Sequence, residues 1–170
     1  MTTPTPELLQ AFKETDYIVH SEPPFAMRIG QACPELMPLM AQHKAQCAAF
    51  ITAWNPWSQA LPDTENEARQ NTLKAQLSQR GLPFVDGIGQ HPSNRWPGEP
   101  SVLVLGLDRE AAKALAKAHE QHAFVWVGSD GVAELVWPEH DRLENWDGFL
   151  AATQQLSVND DFLNPDERRN

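Results

Sequence analysis

Two stretches of the chain gather residues whose types could do chemistry. The first, Thr52-Ala53-Trp54-Asn55-Pro56-Trp57-Ser58, sets hydroxyls and an amide just past the apolar run Ala48-Ala49-Phe50-Ile51. The second, residues 91–101, offers an imidazole (His91), a guanidinium (Arg95), a carboxylate (Glu99) and a hydroxyl (Ser101) among prolines and a glycine. Glu99 is the candidate catalytic base, with His91 as its acid–base partner, because a carboxylate and an imidazole within hydrogen-bond reach can carry a proton to and from a substrate. The bland alternative is a pair of solvated loop charges. Thr52, Asn55, Ser58, Asn66, Arg69, Arg95 and Ser101 are the candidate ligand-binding residues. Their amides and hydroxyls orient polar groups, while Arg95 and a helix N-terminus near Asn66 favour an anion.

Other spacings carry less. His119-Glu120-Gln121-His122 separates two imidazoles by three positions, but there is no HExxH pattern and no carboxylate partner, so no metal is expected. Ser101 lacks a GxSxG elbow. Gly87-Ile88-Gly89 is not followed by GxxxxGK[ST], so no phosphate loop and no cofactor are expected. Cys33 and Cys47 lack CxxC spacing and read as reduced, structural thiols. The six tryptophans are core or rim material by default, although Trp57 and Trp96 are placed to stack a ring-shaped ligand.

These residues need elements to position them. A short helix over 7–14, strands over 17–20 and 25–29 and a short helix over 34–40 form an N-terminal hairpin-and-helix extension. The run 48–54 reads as a strand that Pro56 stops. Thr64 and Glu67 have the spacing of a capping box for a helix reaching Arg80 and ending at Gly81, with Leu73 and Leu77 on its buried stripe. Strands follow over 82–88 and 101–106, then a helix capped by Asp108, and strands 123–127 and 132–137 flank Gly128-Ser129-Asp130-Gly131. The order β-α-β-β-α-β plus one strand predicts an α+β, ferredoxin-like split sheet with an extra C-terminal hairpin strand and helices packed on one face. That topology brings Thr52, Asn55, Ser58, Asn66, Arg69, His91, Arg95, Trp96, Glu99, Ser101, His119 and His122 to one edge. Asn66 lies on the stripe of Leu73 and Leu77, where it points inward; a buried amide must find partners, and Asn55 or Ser101 is placed to supply them.

The 170 residues, 41% hydrophobic and 21% charged, fit a single globular domain over 1–137, with its core over 47–137. From Pro138 the chain turns acidic, and 138–170 reads as an extension with one docked helix around Trp146 and a solvated tail. A net charge of −10 argues against nucleic acid and anionic lipid. The first twenty residues do not form a signal peptide, and no apolar run is long enough to span a membrane, so the expected location is cytoplasmic.

Phe50-Ile51-Thr52-Ala53-Trp54-Asn55-Pro56, then Glu65-Asn66 and Arg69, Glu99-Pro100-Ser101, Gly106 and Ala123-Phe124-Val125-Trp126, resemble a bacterial family known as domain of unknown function 3293. The resemblance runs over about residues 17–137 and is most specific at TAWNP and its downstream EN. It implies a small bacterial cytosolic protein and carries over no activity, cofactor or catalytic residue.

The leading expectation is a protein that binds a small polar or anionic ligand at the polar edge, with or without chemistry. The alternative is an acidic protein–protein interaction or regulatory module, motivated by the charge, the acidic extension and the tryptophans. A weaker third reading is an acidic mimic of nucleic acid, built on carboxylates around 65–67 and 139–147.

Overall fold

The computed structural model describes residues 5–93 and 97–138. The chain runs α1 (Pro6–Glu14), β1 (Asp16–Val19), β2 (Phe25–Met27), α2 (Leu36–Gln42), β3 (Ala48–Ile51) and a 3-10 turn (Pro56–Ser58). It continues through α3 (Asp63–Gln79), β4 (Phe84–Gln90), β5 (Glu99–Leu105), α4 (Arg109–Ala118), β6 (Phe124–Val127) and β7 (Ala133–Val136). The seven strands form one sheet in the order β2-β1-β4-β5-β3-β6-β7, and every neighbouring pair is antiparallel. The fold is therefore α+β. Arg95, Trp96 and the helix and tail expected beyond Pro138 lie outside the described residues.

Side-chain alternation sorts the sheet into two faces. Ala49, Ile51, Val102 and Val104 pack under α3 and α4 against Leu73, Leu77, Ala112 and Leu115. Ala48, Phe50, Leu103, Leu105, Val125 and Val127 point the other way, onto Leu36 and Met40 of α2. Farther along that second face, Leu9 of α1 is buried with Leu135 and Trp137. Helices thus cover both faces, correcting the expectation of one. The reason is visible in β3 and β5, whose apolar runs leave no polar side to give to water.

The caps divide along the same lines of local chemistry. Thr5 accepts from the Leu8 N–H at 3.1 Å and Asp108 from the Ala111 N–H at 2.8 Å, so α1 and α4 start on ordinary side-chain caps. Helix α3 does not use the expected Thr64–Glu67 box. It starts at Asp63 behind Pro62, which has no side-chain acceptor to offer, so Thr64 falls inside the first turn; the Asn66 side chain turns back to the Leu61 carbonyl at 3.2 Å.

At the far edge, residues 30–33 lie along β7. The Gly30 N–H donates to the Ala133 carbonyl at 2.8 Å, Ala133 donates to Gln31 at 3.2 Å, and Cys33 donates to Gly131 at 2.9 Å. The chain therefore blunts part of its own exposed edge. Both cysteines are free; burial pushes their thiols up, which keeps them protonated and inert. Among the described residues no helix is long and apolar enough to cross a membrane.

Gly87 sits where β1, β4 and Phe50 converge. A Cβ there would overlap the Ile18 carbonyl oxygen and stand 2.9 Å from Phe50 Cε2, whereas at Gly89 the nearest atoms are 3.8 Å away or more. Gly87→Ala is expected to cost about 1–3 kcal/mol, as overpacked cores do, and Gly89→Ala much less. Urea denaturation of the two variants checks this, and equal midpoints would contradict it.

Candidate functional site

The segment between β3 and α3 holds an uncommon backbone. Asn55, Trp57 and Ser58 have φ of 49°, 56° and 58°, and Glu120, against which the loop rests, has 59°. The left-handed region costs non-glycine residues roughly 1–2 kcal/mol each, so the surroundings must hold them there. They do so through side-chain amides. Asn66 Oδ1 accepts from the Asn55 N–H at 2.8 Å, and Asn66 Nδ2 donates to Asn55 Oδ1 at 2.7 Å. That same Asn55 oxygen accepts from the Leu61 N–H at 3.0 Å, while Asn55 Nδ2 donates to Glu99 Oε2 at 3.1 Å.

Two further anchors complete the loop. Trp57 N–H donates to the Glu120 carbonyl at 2.7 Å. One turn along α3, Gln70 Oε1 accepts from the Ala53 N–H at 2.9 Å, so Asn66, Gln70, Leu73 and Leu77 form one buried stripe whose first half is polar.

In front of this clasp lies a cavity of about 330 Å³ between α1 and the sheet. Its apolar wall comes from Leu8 and Phe12 of α1 with Phe50, Phe124, Val125 and Leu135 of the sheet. Its polar end is made by Thr52, Asn55, Ser58, Glu99 and Ser101, with Gln121 and His122 beside them. Tyr17 joins the wall, its ring edge-on to Phe50 at 5.5 Å, and its hydroxyl donates to the Phe12 carbonyl at 2.6 Å, tying α1 to the sheet. Burial drives the Tyr17 phenol far above its ordinary range, so it stays a neutral donor.

Three histidines take distinct roles. His91 lines the cavity and accepts from the Ser93 N–H on Nδ1 at 3.2 Å, which places its proton on Nε2, where it meets Glu14 Oε1 at 2.9 Å. Hydrogen bonds from Gln10 and then His91 hold the Glu14 carboxyl below its usual range. His122 stacks on Trp137 at 4.9 Å and meets the edge of Trp57 at 5.2 Å; its Nδ1 is buried without a hydrogen-bond partner among the described residues. His119 instead reaches Gln76 Oε1 at 2.8 Å. Burial is the main cause that holds both His119 and His122 below the ordinary imidazole value, aided at His119 by Arg69 and opposed at His122 by the Trp57 backbone.

Of the residues singled out in the sequence, Thr52, Asn55, Ser58, His91, Glu99, Ser101 and His122 meet at the cavity. Asn66 stands behind Asn55, where it is 1% exposed, and Arg69 pairs with Glu120 at 2.7 Å. Trp57 lies against His122. Among the described residues no group of three metal-ligating side chains could hold an ion. The sequence reasoning missed the α1 wall and Gln70. The Leu8–Phe12 spacing of four and the place of Gln70 on the Asn66–Leu73–Leu77 stripe were the available signals.

Residues 51–124 match the model of a family described as a protein of unknown function, DUF3293. The resemblance carried by TAWNP and its downstream EN is therefore shown, over a narrower stretch than 17–137. No curated protein and no solved structure matches the chain.

Replacing Asn66 by Leu fits the stripe in shape but strands the Asn55 N–H and the Leu61 carbonyl. A loss of about 2–4 kcal/mol in unfolding free energy is expected, since each buried unpaired group costs about 1–3 kcal/mol; an unchanged urea midpoint would contradict the clasp. Stability should also follow the two imidazoles, His119 and His122. Their folded values lie below the ordinary 6.5, so the unfolded chain takes up protons first. Their stabilising contribution is complete above that pH and is lost as pH falls through it toward the folded values. The urea midpoint is expected to drop between pH 7.5 and about 5.5, less steeply in a His119→Gln, His122→Phe variant.

Proposed function

We propose that this protein binds a small molecule with an apolar body and a polar head in the cavity between α1 and the sheet. The single observation that carries this reading is the division of one cavity of about 330 Å³ into an aromatic and aliphatic wall and a polar end built on a strained, fully braced loop. Interiors are otherwise packed to crystal-like density, and ligand sites share this size and this mixture of apolar lining with a few placed polar groups. Strain held by surrounding structure is also concentrated at functional sites.

Within this reading Phe12, Phe50 and Leu135 hold the body, and Asn55, Glu99 and Ser101 meet the head. Asn66 acts through Asn55. The expected preference for an anion rested on Arg95 and the α3 N-terminus; Asn66, near that terminus, is engaged by Asn55 and does not line the cavity. We retain the polar-ligand half of that expectation. Glu99, held by Asn55, is the residue that chemistry would use as a base; binding is the reading we favour.

The same reasoning supports the finer fold assignment. The strands β6, β3, β5 and β4 are neighbours in that order and are linked as β-α-β-β-α-β, which favours a ferredoxin-like core extended by β1–β2 on one side and β7 on the other.

The test uses N-phenyl-1-naphthylamine, a largely apolar dye whose fluorescence rises in dry pockets. The protein is expected to enhance its emission saturably. Ala11→Phe, which fills the α1 wall from a partly exposed helical position, should weaken binding at least tenfold without loss of helical circular dichroism. Absence of enhancement, or equal affinity in the variant, would overturn the proposal.

A further inference from the structure

Rings from four separate segments stand around the cavity, and the surroundings hold three of them in fixed attitudes. Phe12 comes from α1, Tyr17 from β1, Phe50 from β3 and His122 from the segment between α4 and β6. Tyr17 is pinned at both ends: its hydroxyl reaches the Phe12 carbonyl at 2.6 Å, and its ring meets Phe50 edge-on at 5.5 Å with the planes 74° apart. Phe50 has Gly87 against it, where a single added carbon would stand 2.9 Å from the ring. His122 lies stacked on Trp137 at 4.9 Å with the planes 16° apart, and Trp57 meets its edge.

Between these rings the floor is low. At Gly89 a Cβ would find its nearest atoms at 3.8 and 3.9 Å, on Thr15 and Tyr17, so glycine there leaves room that a side chain would occupy. Ala11, Ser101 and Ala123 are the other small residues of the lining. A low floor bounded by fixed rings makes a slot, and a slot favours a flat body, because a puckered ring or a coiled chain needs more height for the same number of carbons. Among the described residues of the lining there is no methionine, the flexible side chain by which other sites re-pack around ligands of varied shape. The volume of about 330 Å³ is the share of roughly eleven waters at about 30 Å³ each, which suits a body of one or two rings.

Resting on the ligand-binding reading above, we propose that the apolar body of the ligand is a planar aromatic system of one or two rings, taken in preference to a saturated ring or an acyl chain of the same carbon number. The physical cause is the ring quadrupole. A negative face and a positive rim pair edge-to-face with the rings of the wall, so a bound aromatic gains more than the area it buries, about two- to tenfold in affinity for each good pair. A saturated body gains from area alone, and a chain must also freeze its rotors. Rings already held in place lose no rotamer freedom when the ligand arrives, which leaves that gain undiminished.

Three neutral eight-carbon alcohols separate shape from bulk: 2-phenylethanol, 2-cyclohexylethanol and 1-octanol, each used to displace N-phenyl-1-naphthylamine from the full-length protein. Apolar burial alone ranks 1-octanol first and 2-phenylethanol last, in order of the apolar surface they carry. The reverse is expected, with 2-phenylethanol displacing the dye at a concentration at least threefold below that of either saturated alcohol. Phe12→Leu, which keeps an apolar side chain at a partly exposed helical position, should cut that preference at least twofold without loss of helical circular dichroism. Either saturated alcohol displacing the dye as well as 2-phenylethanol would overturn the aromatic class and leave the cavity reading standing, and so would an unchanged preference in the variant. Bound dye that none of the three displaces would overturn the class as well. Absence of dye enhancement would overturn both.

Discussion

The reciprocal amide pair of Asn55 and Asn66 is the interaction on which the rest of the site depends. Each side chain both donates and accepts, so neither leaves a buried polar group exposed to an apolar interior. The pair joins the end of β3 to the first turn of α3 and passes through Asn55 Nδ2 to Glu99 at the start of β5. Three elements that diverge in space are thus fixed at one point. The left-handed residues of the loop follow from this constraint, since no local preference of Trp57 or Ser58 would hold them at positive φ.

The cavity is a consequence of side-chain volume at a particular crossing. Where α1 lies over the second face of the sheet, the residues beneath it are Gly89, Ser101 and Ala123, all small, while Phe12, Phe50 and Leu135 stand around them. Leu9 is seated fully in the neighbouring cluster with Trp137, so the helix is held at its height by one large contact while small residues sit below another. The space is therefore built by the sequence at positions that a plain core would fill with leucine or valine.

How much of this could be read from the chain alone depended on whether the signal was local. The β-α-β-β-α-β order, the Asp108 cap and the Gly128–Gly131 turn are short-range features, and they stand where the residues place them. Asn66 was legible because an amide on a leucine stripe is anomalous, and of its two expected partners, Asn55 and Ser101, it is Asn55 that it meets. The α1 wall was not legible: periodicity marks Leu8, Leu9 and Phe12 as one face, but nothing local says which surface that face meets. The cap of α3 was misplaced because the helix begins at Asp63, behind Pro62, which puts Thr64 inside the first turn and beyond the reach of the local capping pattern.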